Sequence, residues 1–322
     1  MQKSILVSVL TATSLLINAN LAVADSITVN SCDRKVSFDA PPNKIIVHDL
    51  NMNEMVMALN LEDRMVGVTG VTGWYKKEGP ALLKKLGGIP ELAPKYPTLE
   101  NLLAVEPDLF IAGWYYGMKP GGEVTPDILA QYGVKTLELT ESCIHLDQAK
   151  KPASMDLLFY DIMRLGVIFK KSKEAEVLIN KWKVELASIK KAIGAKAGKR
   201  VFLYDSGKEK PFTAGKFAIP TAMIEAAGGK NIVDDMSTSW GRTSWETVAS
   251  RNPEFLLLLD YSEDGSGADG LMDYLKSHPA MSETDAVKNS HYVALRYAEL
   301  TPGPANINAI RKIASGMYPE RF

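Results

Sequence analysis

The sequence predicts an α/β fold: two lobes with mainly parallel sheets flanked by helices, joined by one long α-helix. Short apolar runs of strand length alternate with helical stretches in both halves. A long amphipathic stretch separates the halves, and one block of the first half recurs in the second.

The first half opens on Lys44–His48 (KIIVH), an apolar run typical of a buried parallel strand. Asn53–Leu61 has helical spacing, and Arg64–Thr69 is a second strand ending at a glycine-rich turn. Asp108–Ala112 and Val134–Leu139 are further strands, with a helix over Pro126–Tyr132 between them. Ser172–Ile193 carries apolar residues at steps of three and four, one face of a helix about 33 Å long. Ser172 is its expected N-cap, Glu174 lies in the first turn, and Gly194 and Gly198 end it. Strands follow at Arg200–Tyr204, Glu254–Leu259 and Tyr292–Leu295, with helices at Thr221–Ala227 and Asn306–Ser315. The expected division is a signal peptide at 1–24, an N-terminal lobe at 25–150, a connecting helical segment at 151–197 and a C-terminal lobe at 198–322.

The leader follows from Lys3, the apolar stretch Ile5–Leu16 and the small-residue site Ala22-Val23-Ala24. That stretch is short for a membrane span, and no Cys stands at the cleavage point, so no lipid anchor is expected. A bacterial periplasm fits best. The 322 residues carry a net charge of −1 and no Lys/Arg run, which gives no general pull toward nucleic acid. The two cysteines, Cys32 and Cys143, are expected to pair in an oxidising compartment. Closing so long a loop contributes roughly 4–5 kcal/mol in the chain-entropy picture. A metal site there would need more ligands, and only His145 is near in sequence.

The recurring block runs from Thr98-Leu99-Glu100 to Pro107 and a strand, and again from Ser244-Trp245-Glu246 to Pro253 and a strand. Each Glu is explained locally by helix-start chemistry; the pair also reads as matched surface acids for a partner built of two like halves.

Aromatic residues gather where strands end: Trp74 and Tyr75, Trp114 with Tyr115 and Tyr116, and Trp240. Loops at the carboxyl ends of parallel strands are where α/β proteins bind ligands. Arg242 suits an anionic chelate, Tyr297 or His48 would offer a donor to iron, and Ser206 in Tyr204–Gly207 lines the same zone. Gly265–Gly270 matches G-x-G-x-x-G, but acids intervene between it and the strand, so a flexible acidic loop is expected rather than a nucleotide site. No G-x-S-x-G, H-E-x-x-H or P-loop is present.

Taken in order, the leader, Pro42–Val47, Asn53–Gly67, Thr98–Ala112, Ala226–Asn231 and Ser244–Glu246 resemble the iron-siderophore/cobalamin/haem class of periplasmic substrate-binding proteins of ABC importers. The resemblance implies a ligand cleft between two α/β lobes joined by one helix, with modest opening. It implies that Glu100 and Glu246 dock onto arginines of a permease dimer in the inner membrane. An iron-siderophore-like chelate is the expected ligand, with cobalamin, haem or another cofactor-like molecule as the alternative and an exported enzyme on this fold as the remote one. The expected protein is a monomer that is not an enzyme and needs no cofactor of its own; its metal-ligating residues are not assigned.

Overall fold

A computed structural model describes residues 26–75, 78–146, 151–195, 198–262 and 264–322. The expected leader lies outside these residues. The chain starts with a hairpin, β1 (Ile27–Ser31) and β2 (Arg34–Phe38), paired antiparallel. Then come β3 (Ile45–His48), α1 (Leu50–Ala58), β4 (Met65–Thr69), α2 (Glu78–Lys85), β5 (Glu91–Ala93) and α3 (Leu99–Leu103). β6 (Leu109–Trp114), β7 (Gly117–Met118), α4 (Pro126–Ala130) and β8 (Lys135–Glu138) follow. These strands form one parallel sheet in the order β5-β4-β3-β6-β7, with β8 also on β6.

A 3-10 turn, Thr140–His145, leads to α5 (Asp156–Ile168) and α6 (Ser172–Ile193). The second half contains β9 (Lys199–Tyr204), β10 (Phe212–Ala214), α7 (Ile219–Ala226), β11 (Gly229–Asn231), β12 (Trp240–Arg242), α8 (Trp245–Ser250) and β13 (Phe255–Leu259). It ends with α9 (Gly267–Ser277), α10 (Asp285–Lys288), β14 (Tyr292–Leu295), α11 (Tyr297–Leu300) and α12 (Ala305–Met317). Its sheet is parallel in the order β11-β9-β13-β14, and β10 and β12 make a separate antiparallel ribbon.

The mixed α/β class with parallel sheets and flanking helices is as expected. The apolar runs are continuous because both faces of each sheet are covered. Val201, Leu203, Phe255 and Leu257 join the cluster that also holds Ile45, Val47 and Ile111 of the other sheet. Their neighbours Phe202, Leu256 and Leu258 pack on the outer face with Trp245 and Met272.

The segment between the sheets is two helices rather than one. α5 packs on α6, on β1 and on the 3-10 turn, and was hidden by its buried surroundings. α6 begins at Ser172 but Ser172 does not cap it: the N-cap is Lys171, with no side-chain bond. The two helices meet in a tight elbow, with Lys170 at φ 56, Lys171 donating its N–H to Gly166, and no space for a Cβ on Gly166 against Ala175. The elbow therefore sets the entry of α6. Gly194 closes the helix at φ 66.

The recurring block folds the same way twice. Thr98 caps α3 by accepting the Asn101 N–H, and Ser244 caps α8 by accepting the Thr247 N–H, both at 3.1 Å. Glu106 and Asn252, at matching offsets, adopt φ 48 and φ 43. Asp108 donates its N–H to Lys44 O and accepts the Lys44 N–H; Glu254 does the same with Arg200.

Gly265–Gly270 is not a flexible loop. Asp260 accepts the Ser262 N–H, the Ser262 hydroxyl accepts the Gly265 and Gly267 N–H groups, and α9 starts at Gly267. A Cβ on Gly267 would strike the Asp260 carboxylate. Local side chains occupy the helix start, which excludes a pyrophosphate.

Candidate functional site

Between the two sheets lies a cavity of about 590 Å³. One wall carries Tyr115, Tyr116, Ser142 and His145; the other carries Asp205, Ser206, Phe212, Trp240, Arg242, Tyr261 and Tyr297.

The second wall is built by the β10–β12 ribbon. Register sets Phe212 opposite Arg242 and Ala214 opposite Trp240. A period of two then puts Trp240 and Arg242 on one face. The Phe212 and Trp240 rings stack at 5.9 Å, and the Arg242 guanidinium lies 5.5 Å from the Phe212 centroid while donating to Lys210 O at 2.9 Å. Gly207, at φ 91, is required here because a Cβ would strike the backbone carbonyl of Lys210. Asp205 is buried and accepts from the Ser206 hydroxyl and from Tyr261 Oη; burial raises its pKa.

The first wall is a knuckle after β6. Tyr115 stands at φ 64, 52% exposed, with its N–H on Met118 O and its carbonyl accepting from Tyr96 Oη. His145 packs edge-on to it at 4.6 Å. Tyr116 donates to Glu141 and takes a hydrogen bond from Trp240 of the other wall.

Hydrogen bonds also cross the floor. Tyr297 Oη donates to Asp49 at 2.9 Å, Ile219 N–H donates to Glu141 at 2.5 Å, and Asn51 donates to Pro302 O at 2.7 Å. Asp49 is the N-cap of α1 at φ 65 and is buried. Desolvation pushes its carboxyl up to about 7 despite bonds from Leu50 N–H, Tyr297 and Tyr75. Burial likewise raises Glu141 to about 8.

Six of the nine expected ligand residues line the cavity: Tyr115, Tyr116, Ser206, Trp240, Arg242 and Tyr297. Three do not. Trp114 points away, because alternation along β6 puts Phe110, Ala112 and Trp114 on the outer face, where its Nε1 donates to Glu138 at 3.0 Å. Trp74 is 45% exposed on a turn beside Lys95. Tyr75 is buried behind Tyr297, stacked on it at 4.3 Å. His48 does not line the cavity: its ring is buried under Gly70 and Gly117 and bonded to Thr69, and desolvation lowers its pKa to about 3. The Tyr297 hydroxyl is engaged by Asp49, and burial pushes its pKa well up. His145, Ser142, Phe212 and Tyr261 are lining residues that the sequence did not disclose. No group of three or more His, Cys, Asp or Glu side chains able to hold a metal occurs among the described residues.

Cys32 and Cys143 form a disulfide with Cα atoms 5.2 Å apart. No helix among the described residues is long and apolar enough to cross a membrane.

A family model described as periplasmic binding protein matches residues 45–297, a span that includes both sheets and nearly all of the cavity wall. The chain belongs to the periplasmic binding protein family. It is 24% identical over 297 residues to an uncharacterized ABC transporter substrate-binding lipoprotein, YvrC, of Bacillus subtilis, covering 91% of this chain and 85% of that one. A vitamin B12-binding protein of Vibrio parahaemolyticus is 24% identical over 274 residues, covering 85% and 88%. An ABC-type Fe3+-hydroxamate transport system from Saccharomonospora viridis shares the fold with a TM-score of 0.74 at 21% identity, over 90% of this chain and 98% of that chain. Membership of the periplasmic binding protein family makes the chain a substrate-binding protein rather than an enzyme.

Proposed function

We propose that this chain is the periplasmic solute-binding component of an ABC importer. It captures an iron-siderophore-like metal chelate between an N-terminal lobe (25–150) and a C-terminal lobe (198–322), joined by the segment 151–197, and delivers it as a monomer to a permease dimer in the inner membrane. Residues 1–24 are the export signal that takes it to the periplasm.

The observation that carries this reading is the composition of the cleft. Rings of Tyr115, Tyr116, Phe212, Trp240, Tyr261 and Tyr297 surround one guanidinium, that of Arg242. Stacked rings bury a flat organic ligand, and a guanidinium pairs with an anionic oxygen. At the mouth, Tyr115 and His145 offer a phenol and an imidazole, donor types that iron accepts. The iron-hydroxamate system of similar fold supports iron as cargo. The similarity to a vitamin B12-binding protein favours cobalamin as the second reading. Glu100 and Glu246 are exposed in the first turns of their helices, as docking onto permease arginines requires.

Trp240 provides the test. Titration of the protein with ferric siderophores, haem and cobalamin should quench tryptophan fluorescence saturably with one ferric chelate at submicromolar concentration. Arg242→Ala should weaken that binding about ten-fold or more, the effect of losing a charged hydrogen bond. Saturation by cobalamin alone would replace the iron reading, and silence from the whole panel would end both.

A further inference from the structure

We infer that the cleft selects its ligand by charge, admitting a chelate that carries at most one net negative charge, and that Asp205 enforces this limit against polyanions. This rests on the reading of the cleft as a ferric-chelate site.

Among the described lining residues there is a single lysine or arginine, Arg242, and a single acid, Asp205. Lys210 lends only its carbonyl to Arg242, and Lys119 stands over the Tyr96 ring at 4.6 Å; neither residue lines the cavity. Asp205 directly follows β9 and is 7% exposed. Its carboxylate accepts the Ser206 hydroxyl at 2.5 Å and Tyr261 Oη at 2.9 Å. Burial pushes its pKa up, while those hydroxyls and the Arg242 charge pull the other way. Asp205 and Arg242 therefore feel each other's charge. With Asp205 ionised the two sum to zero, and with it neutral they sum to plus one. In either state they offset at most one negative charge on a ligand. A charge brought out of water without an opposite partner is strongly disfavoured.

The residues behind the lining add no positive charge. Asp49 accepts from Tyr297 and from its own helix start, and Glu141 accepts from Tyr116 and the Ile219 N–H. These partners are hydroxyls and backbone amides rather than cations. Ionised, either acid makes the surroundings of the cleft more negative; protonated, it leaves them unchanged.

Ferric chelates differ sharply in this property. Three hydroxamates each bring one negative charge and cancel the charge of ferric iron, so the complex is neutral. Three catecholates each bring two, and the complex keeps three negative charges. Arg242 can pair with one anionic oxygen of such a complex, and the remaining charge meets Asp205. A neutral complex needs only hydrogen bonds. Arg242 donates to its oxygens, and the lone pairs of Asp205 that Ser206 and Tyr261 leave over accept an amide N–H or a hydroxyl.

The experiment measures dissociation constants by tryptophan quenching for ferrichrome, a neutral trihydroxamate, and for ferric enterobactin, a triply anionic tris-catecholate. It is run at pH 8, where an ordinary imidazole is uncharged, because His145 is also in the lining. Native protein should bind ferrichrome about a hundred-fold or more tightly than ferric enterobactin. That ratio tests the charge limit without any variant. Asp205→Asn removes the charge and keeps the shape. It should tighten ferric enterobactin about ten-fold and leave ferrichrome within about three-fold, the second result also showing that the variant is folded. If native protein binds the two alike or prefers ferric enterobactin, or if Asp205→Asn keeps the native ratio, the inference is overturned while the ferric-chelate reading stands. If neither chelate binds, that reading falls and the inference falls with it.

Discussion

Asp49 occupies a left-handed backbone conformation and is buried, two conditions that a carboxylate meets only when its neighbours compel it. Here they do: it caps α1, takes the Tyr297 hydroxyl from the far side of the cleft, and lies under Tyr75. Its folded-state pKa, about 7, is above the ordinary value, so the protonated form is favoured in the folded state. The stability it contributes is full below about pH 4 and is lost as pH rises through about 7, on the order of a few kcal/mol. Asp49→Asn should therefore flatten the fall in melting temperature between pH 4 and 7. Some slope should remain, because Glu54 and Glu141 are raised in the same direction, to about 7 and about 8. A variant with the native slope would show that Asp49 is already ionised in the fold. At this scale the sequence disclosed the aromatic character of the site but not the direction of each ring. Trp114 was lost to strand parity, which could have been counted from the strand Phe110 opens onto. His145 could not have been found, because a disulfide and a turn carry it to Tyr115.

Elements were legible where burial is periodic or unbroken. KIIVH and EFLLLL are strands because each is covered on both faces, and α6 runs over the residues its apolar stripe marks. The three-residue strands β10 and β12 are too short to show a period, and they form because the loops around them bring Phe212 opposite Arg242. α5 is largely buried, so it lacks the polar face that marks a helix in sequence. The repeated helix start was fully legible, and its caps make a quantitative expectation. Thr98→Ala and Ser244→Ala each remove a hydroxyl that accepts an N3 amide, and each should cost about 0.5–2 kcal/mol in urea unfolding. The two costs should add in the double variant, since the caps share no partner. A double variant no less stable than either single would mean that the helix starts are held by packing instead.

Across the whole molecule, the repeat puts two exposed acids, Glu100 and Glu246, at matching positions. Glu100 and Glu246 each follow a capping hydroxyl by two residues and precede an acid that bonds a backbone N–H at the start of the adjacent strand, that of Lys44 just before β3 and that of Arg200 in β9. The Glu246 carboxyl is held below the usual range by its own backbone N–H and the Ser244 hydroxyl, so it stays charged. Neither acid lines the cavity. An isolated surface ion pair is weak, but two pairs made at once act as a bivalent clamp, and desolvation on contact strengthens each. Glu100→Ala and Glu246→Ala should each weaken docking to the permease about ten-fold, and the double variant by about a hundred-fold or more. Ligand affinity, read by tryptophan quenching, should stay within two-fold of native in all three. Uptake of radiolabelled iron chelate into cells carrying the permease should therefore collapse while binding survives. Raising the ionic strength should reproduce part of the loss in native protein and little in the double variant, because the missing interaction is the one that salt screens. Uptake that persists in the double variant at native rate would remove the two acids from the interface and leave them as helix-start residues alone.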